Sequence, residues 1–250
     1  MAFRIDRLGL RVQESLAQAV SPFTYGALAA WMKFGQRYRI PDLQRVREEF
    51  MAQIGHERGP LLICANHLTL IDSLVIQWAL ASGWRFAWRR DAFAWNLPDR
   101  YNLATYSWWR VIGYLGKCIP VVRKGTPEQA RQTLDKVMWL LARGQSVVIF
   151  PEGGRSRVGR VDRESVTYGV GQLLQAVPGT RVLCVFLRGR GQAAYSDYPA
   201  RGETFVVRLK RIAPSTVSAG MRGARDLAMQ IVGQLSEMET RYFDDVAVDR

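Results

Sequence analysis

Histidine and cysteine are both scarce in this chain, with two of the first and three of the second among 250 residues. Cys64, Cys118 and Cys184 each sit inside a short apolar run, where a thiol behaves as a small buried hydrophobe, so no disulfide framework is expected. The same scarcity argues against a zinc site, because Cys64 and His67 would have only His56 and two distant cysteines to complete a ligand set. Also missing is any run of the roughly 20 apolar residues that a spanning helix needs. Ser15 to Met32 carries no charge, but Ser, Gln, Thr and Pro22 interrupt it. The opening residues include Arg4, Asp6, Arg7, Arg11 and Glu14 and lack the apolar core of a secretory signal, so a cytoplasmic face is expected. No G-x-S-x-G nucleophile elbow, internal repeat, low-complexity block or Gly/Ser linker occurs.

What is present is basic charge: 35 Lys and Arg against 22 Asp and Glu leave +13, which favours anionic partners such as phospholipid head groups, acyl-CoA or nucleic acid. A hydrophobic content of 48% allows one large folded domain. The expected division is a helical, membrane-interfacial extension over residues 1–55 followed by an α/β domain over 56–250. In the extension, residues 15–32 suit an interfacial or partly inserted hairpin flanked by Arg11 and Lys33 and anchored by Phe23, Tyr25, Trp31 and Phe34, the alternative being a helix pair that covers the core. Trp84 to Arg110 mixes tryptophans 84, 88, 95, 108 and 109 with arginines, which suits a lipid head-group region. The same mixture could stack single-stranded nucleic acid. The basic residues, however, spread over every segment, and no nucleic-acid module is recognisable, so no nucleic-acid partner is expected.

Short apolar runs between breakers read as strands over 60–65, 146–150, 182–187 and 204–209, with two more expected over 84–88 and 118–123. Helices are expected over 40–53, 70–81 and 222–242, and another opens at Thr126-Pro127-Glu128-Gln129, a capping box with proline at the first helical position. Alternation of this kind implies a central mostly parallel or mixed sheet flanked by helices, with working groups at the strand ends.

Two candidate motifs fall there. Asn66-His67-Leu68-Thr69-Leu70-Ile71-Asp72 places a histidine and a carboxylate five residues apart. On one continuous helix such residues diverge by about 140°. They can meet only if His67 precedes the helix that Asp72 begins. An imidazole held by a carboxylate can accept a hydroxyl proton, and no serine nucleophile is required. A turn histidine that merely caps the next helix has the same spacing. The second motif, Phe150-Pro151-Glu152-Gly153-Gly154-Arg155-Ser156-Arg157, follows a strand; its glycines permit a tight turn and Arg155 offers a forked donor suited to phosphate. An ordinary Gly-Gly turn with solvated arginines remains the alternative.

Together with Gly116-Lys-Cys-Ile-Pro-Val-Val-Arg123, the two motifs resemble, in order and spacing, the glycerolipid acyltransferase family, which includes the lysophosphatidic acid acyltransferases. The resemblance implies an α/β acyltransferase fold, a donor that is acyl-CoA or acyl-carrier protein, a lipid acceptor, and no metal or other cofactor; with the interfacial segments above, peripheral or monotopic attachment at a membrane surface is expected. By position it makes His67 the general base and Asp72 its orienting partner. Asn66, Arg123, Glu152, Gly153, Gly154 and Arg155 would bind the acceptor. Three departures concern that acceptor: Gly154 stands where the family has threonine, Cys184 where it has a second proline, and Val166-Thr167-Tyr168-Gly169 where a basic segment is usual. A lysophospholipid-like acceptor and a non-phosphate one, such as a lyso-aminolipid, are both open. Other readings are a thioesterase and a non-enzymatic protein that binds nucleic acid or anionic membranes.

Overall fold

Leu61–Ala65 forms β1, buried along its whole length because parallel strands flank it on both sides. The computed structural model, which describes residues 6–55, 59–104, 107–122 and 125–248, pairs it with β2 (Ser146–Ile149) and β3 (Arg181–Gly189). β4 (Phe205–Ile212) runs antiparallel to β3, giving the order β2-β1-β3-β4. Period-two alternation sends Leu61, Ile63, Val148, Leu183 and Val185 to one core, and Leu62, Cys64, Val147, Cys184 and Phe186 to the other. The architecture is therefore α/β, a mixed sheet with helices on both faces.

The first core is closed by α1 (Arg7–Ala30), α2 (Leu43–Ile54), α3 (Asp72–Leu80) and α4 (Gly83–Trp88). Two helices follow on the surface, α5 (Arg100–Ala104) and α6 (Ser107–Leu115). The second core lies under α7 (Pro127–Ala142), α8 (Gly169–Ala176) and α9 (Gly220–Val248). The capping box of α7 forms as its sequence requires: Thr126 Oγ1 accepts from Gln129 N at 3.3 Å and Gln129 Oε1 from Thr126 N at 2.9 Å.

Several sequence expectations need correction. Residues 84–88 are helix α4, not a strand: Ser82 Oγ accepts from Arg85 N, and only one side is covered, by Phe86 packing on Tyr25 and Phe93. Residues 118–121 make only isolated bridges, Asn96 to Cys118 and Asp99 to Val121, outside the sheet, since Pro120 lacks an N–H for a ladder. Arg123 lies outside the described residues, as does His56. Trp95 is fully buried, its indole donating to Gln145 Oε1, and Tyr25 also turns inward.

The hairpin over 15–32 is instead one continuous helix, α1, running into a π-helical turn at Trp31–Gly35. Pro22 has no N–H for the Gln18 carbonyl, but Ser21 Oγ lies 2.8 Å from that oxygen and takes over the bond, so the helix does not break. The same hydroxyl lies 3.1 Å from the Gly83 carbonyl, where α4 comes so close that a Cβ on Gly83 would sit 2.4 Å from Ser21 O. Among the described residues, no helix is long and apolar enough to cross a membrane.

Candidate active site

The site grows from the register of two neighbouring strands. Cys64 of β1 is paired with Ile149 of β2, and the chain leaves both strands in the same direction. His67 and Glu152, each three residues beyond that pair, consequently emerge side by side. The His67 ring stacks on Phe150, centroids 4.0 Å apart at 16°, and the His67 N–H donates to Glu152 Oε1 at 3.1 Å. Ser156 N donates to the His67 carbonyl at 2.9 Å, so the second turn holds the first through both backbone groups.

Asp72 begins α3, where a carboxylate is favoured by the helix dipole. Its Oδ2 receives His67 Nδ1 at 3.0 Å, Leu68 N at 2.6 Å and Thr69 N at 2.8 Å, while Thr69 Oγ1 donates to Oδ1. Four donors converge on two oxygens, so the carboxylate accepts and the ring donates. With its proton on Nδ1, the imidazole keeps the Nε2 lone pair, for which the described residues offer no hydrogen-bond partner. His67 is 4% exposed and Asp72 3%, a setting of low dielectric that strengthens their bond. A ring held in this way can take a proton from a hydroxyl.

Burial pushes the Glu152 carboxyl up to about 7, although the amides of Asp162 and His67 pull it down. Against an ordinary value of 4.5, the folded protein holds more protons than the unfolded one between about 4.5 and about 7. This contribution to stability is therefore complete below 4.5 and lost as pH rises through 7. Unfolding in urea should show stability falling by on the order of 2–3 kcal/mol from about pH 5 to about pH 8, and Glu152→Gln should flatten that fall. Equal slopes for both proteins would refute the assignment.

The other expected residues divide. Asn66 spends its whole amide on β3: Nδ2 donates to the Leu187 carbonyl at 2.9 Å and Oδ1 accepts from Leu187 N at 2.8 Å, so it fixes the turn and has nothing left for substrate. Both oxygens of Glu152 are likewise taken by backbone amides, those of His67 and Asp162. Gly153 has φ +69°, and a Cβ there would meet Thr167 Cγ2 at 2.3 Å, which makes glycine obligatory. Gly154 has open space around it. Arg155 stays beside the turn, where Nη1 donates to the Ser196 carbonyl at 3.1 Å and to Asp197 Oδ1 at 2.6 Å.

Residues without a sequence signal complete the surroundings. The segment joining β3 to β4 is tied to the His67 turn by Ser196 N to the Leu68 carbonyl and Leu70 N to the Asp197 carbonyl, both 3.1 Å. Glu239 of α9 holds Val161 N at 3.0 Å, next to the Asp162 amide that binds Glu152. Thr69 could have been singled out, since a hydroxyl inside the motif lies three residues before the carboxylate it binds.

The sequence matches the family model described as Acyltransferase over residues 39–188, a span that contains both turns. No curated protein matches the chain.

Proposed function

This chain belongs to the Acyltransferase family, and from that premise we propose that it transfers a fatty acyl group from acyl-CoA or acyl-carrier protein to the hydroxyl of a lipid acceptor at a membrane surface. The observation that carries this reading is the buried contact of 3.0 Å between His67 Nδ1 and Asp72 at the end of β1. In the reaction, the acceptor hydroxyl gives its proton to His67 Nε2 while its oxygen attacks the thioester carbonyl carbon. The C–S bond of the resulting tetrahedral adduct then breaks, and the departing thiolate takes the proton back from the imidazolium. An ester and a free thiol result, and Asp72 stabilises the ring while it is charged.

Attachment to the membrane is supported by apolar side chains left in water. Leu8, Val12, Leu16 and Phe23 of α1, Trp84 and Trp88 of α4, and Trp108, Val111 and Ile112 of α6 are all exposed, Phe23 by 76% and Trp88 by 83%. α1 packs against both α4 and α6, and the exposed Arg7, Arg11, Arg85 and Arg110 supply charge for anionic lipid. Peripheral or monotopic binding to the cytoplasmic leaflet follows from this reading.

The test is incubation of purified protein with acyl-CoA or acyl-carrier protein and a panel of lyso-lipids in anionic vesicles. Thiol release should require an acceptor and match the ester found by mass spectrometry, and the protein should sediment with the vesicles less as salt increases. Equal thiol release without any acceptor would make the protein a thioesterase. Vesicle-bound protein that releases no thiol with any acceptor would end the reading.

A further inference from the structure

Arg155 is the cation that an anionic acceptor would be expected to meet, yet its charge is already answered from within the chain. Its guanidinium donates to Asp197 Oδ1 at 2.6 Å and lies 5.4 Å from the centre of the Tyr195 ring. The Asp197 side chain is 66% exposed, so this carboxylate is open to solvent beside the turn that carries Arg155. Its backbone, in contrast, is fixed: the Asp197 carbonyl accepts from Leu70 N, and the neighbouring Ser196 amide donates to the Leu68 carbonyl. Leu68 and Leu70 lie between His67 and Asp72 in sequence, so the pair adjoins the catalytic turn. A doubly negative group approaching Arg155 would have to displace this carboxylate or tolerate its repulsion.

We propose that Asp197 is a specificity-determining residue: it occupies the anion position of Arg155, so that the site takes an acceptor whose head group carries an ammonium or hydroxyl donor in preference to a phosphate monoester. The proposal rests on the acyltransferase reading for the word acceptor, but its geometry is independent of turnover. The ammonium or hydroxyl meets the exposed side of the Asp197 carboxylate, and Arg155 remains available to a neutral or singly charged oxygen. Selectivity then has two parts, repulsion of the wrong head group and the contact of the right one with the Asp197 carboxylate.

Titration calorimetry on the full chain tests this with two soluble probes, sn-glycerol 3-phosphate and glycerophosphoethanolamine. Asp197→Asn preserves the backbone bonds and should bind glycerol 3-phosphate at least about tenfold tighter than the wild type. The gain should vanish when Arg155→Gln is added, and glycerophosphoethanolamine should bind Asp197→Asn more weakly than the wild type. No gain for glycerol 3-phosphate, or a gain that survives Arg155→Gln, overturns the proposal. Because binding is measured without a thioester, failure of acyl transfer would leave the titration intact, and failure of the titration would leave acyl transfer intact.

Discussion

Replacing His67 with alanine is expected to lower acceptor-dependent acyl transfer by roughly 10²–10⁴-fold, the usual contribution of a positioned general base. The change removes the ring stacked on Phe150 and one of the four donors to Asp72, leaving the Leu68 and Thr69 bonds in place. The expected cost in stability is accordingly modest, about 1–2 kcal/mol in urea unfolding. Under the proposed attachment through α1, α4 and α6, vesicle binding should be unchanged. A rate within a few-fold of the wild type would show that proton transfer does not pass through this ring.

Asp72 should behave differently, because it holds the turn as well as the imidazole. Asp72→Ala strips acceptors from the buried amides of Leu68 and Thr69 together, and each such loss costs about 1–3 kcal/mol. A destabilisation on the order of 3 kcal/mol or more is expected, along with loss of activity. Asp72→Asn separates the two roles. Its carbonyl can take the Oδ2 position and its amide can donate to Thr69 Oγ1, so the fold should survive to within about 1 kcal/mol. The negative charge that stabilises the protonated ring is nevertheless gone, so transfer should still fall by at least about tenfold. If both variants were equally stable, the account of Asp72 as the organiser of the turn would be wrong.

β1, β2 and β3 are readable because each is a compact apolar run between breakers, and α7 because its capping box is entirely local. Trp84–Trp88 misleads since its alternating aromatics imitate a strand. Its conformation is decided by Phe86 lying against Tyr25 and Phe93, contacts that sequence does not display. Pro22 similarly suggests a break, and the Ser21 hydroxyl that repairs it becomes visible only when α1 is continuous. At the site, the five-residue interval allows His67 and Asp72 to meet only across a strand-to-helix bend, and the 3.0 Å contact between them has that geometry. The occupations of Asn66 and Glu152 are set by partners far along the chain: 121 residues separate Asn66 from Leu187, and 85 separate His67 from Glu152. Periodicity carries no information about such pairs.

The strand order also dictates a timetable. β1 is synthesised before any of its neighbours, yet it is an inner strand, and the clamps on the turn that follows it come from Glu152, Leu187 and Asp197. Bringing these distant segments together incurs loop-closure entropy before any contact rewards it. While a ribosome is still adding residues short of 197, a chain that already contains His67 and Asp72 lacks the pieces that set them, so competence arrives only after most of the polypeptide has been made.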